Sequence, residues 1–299
     1  MSENDKSSGS QLLSWGLLII LSLIWGSSFI LIKKSLVAFP APMVGALRVI
    51  FAALFLLPFA YKNLKAVEKA EIKYLFVVGL TGSFIPAILF ALAQTQISSS
   101  IAGVLNSLTP ISVLVIGFVF FSQKIYKSSV WGVLLGLLGS FILIVGFSID
   151  SLADINFYAF FVILATIMYG INLNIIKYKL INVKPTHITS ISVSMVFPIA
   201  AVYLLFFTPA LSMNYNKDFL FPLLAVAVLG IVGTGLALFL FNRLVKVSSA
   251  IFTSSVTYLI PVVAIAWGIV DGESMLYNHV IGMILILGGI ILINKKPKK

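Results

Sequence analysis

The chain has no cysteine and only two histidines among its 299 residues. That excludes disulfides and thiolate metal centres, and no His-Glu-x-x-His or comparable ligand set is present. Charge is scarce as well: Asp, Glu, Lys and Arg make up 10%, against roughly 25% in soluble domains. Acids are the rarest of these. All nine, Glu3, Asp5, Glu68, Glu71, Asp150, Asp154, Asp218, Asp271 and Glu273, fall outside the long apolar stretches. Proton-driven carriers commonly titrate a carboxylate at membrane depth. The sequence offers none, so facilitated flux or exchange is expected, with Glu273 a minor candidate for coupling. No nucleophile with a base, and no acid pair, lies within an apolar stretch, so an enzyme is not expected.

Apolar residues fill the space that charge leaves. They make up 60% of the chain, with 24 Phe and a mean hydropathy of +1.13. Stretches of this kind predict an all-α membrane protein. Ten transmembrane helices are expected, at 13–33, 41–61, 74–93, 101–121, 130–147, 156–176, 187–207, 220–241, 250–270 and 279–294. The polar leader 1–12 reads as disordered and cytoplasmic. The first stretch lacks a small-x-small cleavage site and is kept as a span.

The net charge of +11 does not form a stripe for nucleic acid. Basic residues sit in short connections and act as topology signals. Sixteen fall on the side of the N-terminus and three, Lys33, Lys34 and Lys217, on the other; Arg48 lies within a span. Both termini are therefore expected in the cytoplasm, including a basic tail at 295–299.

The two halves resemble each other. Trp25-Gly26 aligns with Tyr169-Gly170, Pro42 with Pro185, Gly79 and Gly82 with Gly230 and Gly233, and Pro110 with Pro261. Gly132, Leu135, Leu137 and Gly139 align with Gly282, Leu285, Leu287 and Gly289. The offset grows from 143 to 151 across the loop near 208–218. Two five-helix repeats, 13–147 and 156–294, joined by a linker at 148–155, are expected. An odd number of spans per repeat inverts the second copy, which is an architecture of secondary transporters with the site between the halves.

Trp25-Gly26-Ser27-Ser28-Phe29, Arg48, Asn106-Ser107-Leu108-Thr109-Pro110, Gly136-Leu137-Leu138-Gly139, Tyr258-Leu259-Ile260-Pro261 and Gly272-Glu273 together resemble the ten-span EamA-type branch of the drug/metabolite transporter superfamily. The resemblance covers residues 13–294. It implies a multi-pass carrier of the bacterial inner membrane, often an exporter of amino acids or similar metabolites. It also implies that spans 1, 3, 4, 6, 8 and 9 surround a cavity while 5 and 10 act as outer supports. Family members often carry Gly-Glu after both Pro-containing spans; here Ser122, preceded by Phe121, stands against Glu273.

On those inner spans the candidate substrate-binding residues are Trp25, Ser28, Phe84, Asn106, Tyr169, Asn172, Thr257 and Tyr258, joined by Arg48. Repeat mates at equal depth suit a site on a pseudo-twofold axis. The structural alternative is that Asn and Ser bond neighbouring helices and the aromatics pack. Arg48, about 10 Å into its helix, suits a substrate carboxylate; alternatively it snorkels to the headgroups or bonds a helix end. Pro110 and Pro261 free the carbonyls of Asn106 and Thr257 and are candidate hinges or static kinks. The Gly-rich runs, among them Gly132-x-x-x-Gly136 and Gly230-x-x-Gly233-x-Gly235, read as close-packing surfaces.

The partners expected are a small-molecule substrate and the lipid bilayer, with no cofactor and no metal, in a monomer or weak homo-oligomer. Export of metabolites is the first reading. Import of sugars or other small solutes is the second, and a structural or receptor-like membrane protein is a different class of alternative. A periplasm-active reporter fused after Lys299 is expected to be silent; activity there would contradict the topology.

Overall fold

The computed structural model describes residues 3–97, 99–145, 157–213, 219–270 and 277–294, with backbone alone at 3–10, 99–100, 143–145, 264–270 and 279. The linker 148–155, the tail 295–299 and the acids Asp150, Asp154, Asp218, Asp271 and Glu273 lie outside these residues. Among the described residues every element is helical. The α-helices are α1 (Glu3–Ser35), α2 (Ala41–Asn63), α3 (Lys69–Gly79), α4 (Ile85–Ala93), α5 (Ser99–Asn106), α6 (Thr109–Phe121), α7 (Lys127–Val145) and α8 (Ala159–Tyr178). They continue with α9 (Pro185–Met195), α10 (Phe197–Phe207), α11 (Leu220–Gly230), α12 (Ala237–Val247), α13 (Ala250–Ser254), α14 (Val256–Val270) and α15 (Tyr277–Asn294).

Seven helical segments are long and apolar enough to cross a membrane: Gln11–Ser35, Ala41–Ala66, Lys69–Ala93, Ile101–Phe121, Ala159–Tyr178, Pro185–Phe207 and Leu220–Val247. Three further apolar helices, Lys127–Ile142, Ala250–Val263 and Val280–Asn294, are shorter. The helical backbone of α1 starts at Glu3, so most of the leader expected to be disordered extends the first span instead. No proline precedes Pro40, and nothing in the leader interrupts a helix begun there.

Local chemistry sets the helix starts. Pro42 and Pro185 sit in the first turns of α2 and α9, where a missing N–H costs nothing. Glu68 and Glu71 form a capping box on α3, and Ser249 accepts from the Phe252 N–H at the start of α13. At the end of α6, Ser122 adopts φ 52°, the left-handed conformation that glycine favours.

The second half packs as the first does. α1 lies on α14 as α8 lies on α6, and α2 lies on α11 as α9 lies on α3. Pairs that a twofold axis would map onto themselves, α2 with α9 and α7 with α15, are also in contact. The α7–α15 seam shows the exchange at residue level. A methyl on Gly132 would lie 2.7 Å from the Gly289 carbonyl oxygen, and one on Gly139 would lie 2.8 Å from that of Gly282. Because Gly132 aligns with Gly282 and Gly139 with Gly289, this is a self-complementary contact of repeat with repeat. Small residues let the two backbones approach without a hydrophobic drive between helices in lipid.

Gly289→Ala is expected to destabilise the protein by about 1–3 kcal/mol through overpacking, because its methyl would meet the Gly132 carbonyl at 2.7 Å. Gly16→Ala, with nothing within 4 Å of the new methyl, is expected to leave the thermal midpoint unchanged or raised. Thermal unfolding of the two variants checks the pair.

Candidate functional site between the two repeats

Two of the long segments carry an unexpected turn at repeat-related positions. Between α3 and α4 residues Leu80–Phe84 form a π-helical turn, and between α11 and α12 so do residues Ile231–Leu236. A π-turn inserts one residue, breaks the i→i−4 ladder and frees a carbonyl. Such a carbonyl in an apolar interior must find another donor.

Donors from the other repeat reach a carbonyl within the second turn and one just before the first. The Gly233 carbonyl accepts from Trp25 Nε1 at 2.9 Å and from Arg48 Nη2 at 3.5 Å. In the first repeat, the Val78 carbonyl accepts from Asn172 Nδ2 at 2.9 Å. Glycine is needed where the crossing helices touch: a methyl on Gly82 would lie 2.3 Å from Asn172 Nδ2, and one on Gly233 would lie 3.1 Å from Ser28 Oγ. Ser28 and Asn172 are repeat mates, as are Gly82 and Gly233, so the two crossings are one contact made twice.

These turns wall a cavity of about 900 Å³, counting the part open to solvent. Of the expected residues, Trp25, Ser28, Arg48, Asn106, Tyr169, Asn172 and Thr257 line it together. Arg48 does not snorkel. Its Nε donates to Thr234 Oγ1 at 2.7 Å, and it is the one formal charge among the described lining residues, which include no carboxylate. The walls are aromatic as well as polar. Trp25 packs on Phe241 at 5.3 Å between ring centroids, and Phe90 stacks with Tyr169 at 6.2 Å.

Two expected residues lie elsewhere. Phe84 is buried against Tyr203 of α10, edge to face at 5.9 Å. The extra residue of the π-turn advances the register, so Gly82 and Ser83 take the cavity face instead. Tyr258 is fully buried, and its hydroxyl donates to the Val133 carbonyl of α7 at 2.8 Å. Neighbours on a helix point about 100° apart, so with Thr257 in the wall Tyr258 turns to α7.

The prolines are not equivalent either. Pro110 opens α6 just after a break at Ser107-Leu108. Pro261 lies inside α14, and the helix breaks earlier, at Ser255. The carbonyls they free have hydroxyls beside them: Asn106 accepts from Thr109 Oγ1 at 2.7 Å, while Ser107 Oγ lies 3.4 Å from the Thr257 carbonyl and closer, at 3.2 Å, to that of Gly103.

The cavity is sealed toward the end of the bundle rich in lysine. Leu18, Leu21, Leu244, Ile251 and Phe252 are buried there, and Trp15 meets Phe252 edge to face. Two lysines then tie the helix ends. Lys177 Nζ donates to the carbonyls of Val245 and Ser248 at 2.8 and 2.5 Å. Lys246 Nζ donates to those of Leu180 and Ile181 at 2.5 and 2.7 Å. Each lysine caps the carbonyl end of the other's helix, where positive charge is favoured. Toward the opposite end the lining reaches Ile32 and Phe90, within about a turn of the ends of α1 and α4.

Sequence reasoning missed Gly233 and Thr234 as functional positions. The signal was the aligned glycine clusters, read as packing surfaces alone. Tyr258→Phe is expected to cost about 0.5–1.5 kcal/mol, the net worth of its hydrogen bond to the Val133 carbonyl, while leaving solute selectivity unchanged. Thermal unfolding and a competition assay check the two halves of that statement.

A family model described as the EamA-like transporter family matches residues 13–145 and 156–295. An uncharacterized transporter in the trpA 3'region of Buchnera aphidicola subsp. Schlechtendalia chinensis is 28% identical over 112 residues, 37% of each chain. An uncharacterized transporter of Archaeoglobus fulgidus is 30% identical over 122 residues, 39% of this chain and 42% of that one. The matched stretches span about two fifths of these relatives' lengths. A solved crystal structure, described only as that of a protein, superposes with a TM-score of 0.69 at 17% identity, covering 95% of this chain and 96% of the other. That likeness is one of fold.

Proposed function

The chain belongs to the EamA-like transporter family, and from that premise we propose that it carries small organic metabolites bearing a carboxylate, amino acids or similar, by alternating access. Membrane transport of small solutes is the family's activity. The substrate class, the direction and the mechanism are our reading. Seven long apolar segments and three shorter ones support a reading of ten spans, and the bias of basic residues toward one side supports both termini facing the cytoplasm. The bacterial inner membrane and export follow the resemblance drawn from the sequence.

The observation that carries the reading is the charge balance of the cavity. Both repeats line it, and its described lining holds one guanidinium and no carboxylate. A buried cation without a counter-charge is costly, and a solute with a single carboxylate supplies the missing charge. Asn106, Asn172, Ser28 and Thr257 offer hydrogen bonds to the rest of such a solute, and Trp25 and Tyr169 offer apolar faces. Import of sugars gives the cation no such role.

Alternating access is supported by the unequal ends. The lysine-rich end is closed by packed side chains and by the paired caps of Lys177 and Lys246. Their repeat mates, Lys33 and Thr95, make no such pair: Thr95 bonds its own helix at Leu92. The lysine-rich end thus carries charged caps that the repeat-related end lacks, so the two ends are not fastened alike.

Arg48→Ala is expected to weaken binding of a carboxylate solute by about ten- to a hundred-fold, the scale of charge-assisted hydrogen bonds worth about 1.5–3 kcal/mol. Insertion and thermal midpoint should stay near wild type, because Trp25 still meets the Gly233 carbonyl. Arg48→Lys is expected to fall between the two. Binding and transport across amino acids and other metabolites measure this, and unchanged affinity in Arg48→Ala would sink the reading.

A further inference from the structure

Thr234 sits in the second π-turn, is almost wholly buried, and has both sides of its hydroxyl engaged. Its Oγ1 donates to the Leu229 carbonyl at 3.3 Å, five residues earlier, and accepts from Arg48 Nε at 2.7 Å. A threonine hydroxyl has one proton. With that proton spent on Leu229, only a lone pair is left for Arg48, and the polarity of the pair is fixed. The Gly233 carbonyl meets Arg48 Nη2 from the same strip of backbone. Nε and Nη2 form one edge of the planar guanidinium, so the protein fills that edge. The edge made by Nη1 and Nη2 is left unfilled.

We propose that Thr234 is the positioning residue of the site: it holds Arg48 by the Nε edge so that a substrate carboxylate is taken end-on by Nη1 and Nη2. This rests on the carboxylate reading above. Arginine carries much rotamer freedom, and Arg48 lies near enough to a membrane face to snorkel. No acid among the described lining residues anchors it. The Thr234 hydroxyl is its one short contact.

The other repeat supplies the control. The mate of Thr234 at the 151-residue offset is Ser83. Its hydroxyl bonds the Gly79 carbonyl of its own helix at 2.7 Å. The mate of Arg48 is Ile191, which offers no donor. The hydroxyl of the first π-turn therefore serves its own helix and meets no arginine. The Thr234–Arg48 bond is an addition confined to the half where the charge sits.

The test uses the full chain in nanodiscs, with Thr234→Val, which keeps the shape without the hydroxyl, and Thr234→Ser, which keeps the hydroxyl. Arg48 and Arg243 are the only arginines, so ¹⁵N-arginine spectra hold two Nε–H signals. Without ligand, the Arg48 Nε proton is expected to exchange about ten-fold faster in Thr234→Val, the loss of one charge-assisted hydrogen bond, and at the wild-type rate in Thr234→Ser. Thermal shift is then read for acetate, butyrate and phenylacetate against their carboxamides. The wild type and Thr234→Ser are expected to prefer the acid, and Thr234→Val to lose about ten-fold of that preference. Unchanged exchange and unchanged acid preference in Thr234→Val would overturn the proposal. If no acid binds the wild type, the carboxylate reading fails, and the exchange rates still decide whether Thr234 positions Arg48.

Discussion

The backbone carbonyl of Gly233 joins three spans at the cavity. A π-turn releases it from its own helix, and the indole of Trp25 and the guanidinium of Arg48 both donate to it. Left unmet in an apolar interior, such a group costs several kcal/mol. That penalty draws α1 and α2 onto α11 and α12. The aromatic wall of Trp25 and Phe241 follows from it. So does the close approach of Gly230 to the Arg48 carbonyl, where a methyl would lie at 2.6 Å.

Symmetry governs the packing and is set aside for the chemistry. Gly132 on Gly289 and Gly139 on Gly282 are the same contact made twice, and so are Ser28 on Gly233 and Asn172 on Gly82. Arg48 has no charged mate. The carbonyl-capping lysines occur at one end of the bundle, and their mates at the other end make no such pair. An inverted repeat gives a carrier two related closed shapes from one design. The unequal residues then set one end of the bundle and one side of the cavity apart from the other.

Much of this was legible in the sequence because glycines, prolines and polar residues in an apolar chain are few and their spacing survives duplication. The glycines that the offset aligned, Gly132 with Gly282 and Gly139 with Gly289, lie in one seam between α7 and α15. Trp25, Ser28, Arg48, Asn106, Tyr169, Asn172 and Thr257 converge because polar side chains on inner spans share one interior. The π-turns were not legible. One inserted residue leaves length and hydropathy unchanged, yet it turns Phe84 from the cavity to Tyr203. Helix breaks were misjudged because they were ascribed to proline. Pro261 is accommodated inside α14, and the break comes at Ser255, in a run of side chains that bond their own backbone. Tyr258 was placed as an aromatic on an inner span, while its hydroxyl is held by a carbonyl of α7 that the sequence does not reveal.

The central claim is that solute passes through the cavity between the repeats. Single-cysteine accessibility tests it most directly, since the chain has no cysteine of its own. Cysteines at Ser28 and Ser83, both on the cavity wall, should react with a membrane-impermeant thiol reagent applied opposite the lysine-rich end. A cysteine at Phe84, one residue further along the π-turn, should not. Reaction at Phe84 with silence at Ser28 and Ser83 would contradict both the register of the turn and the path.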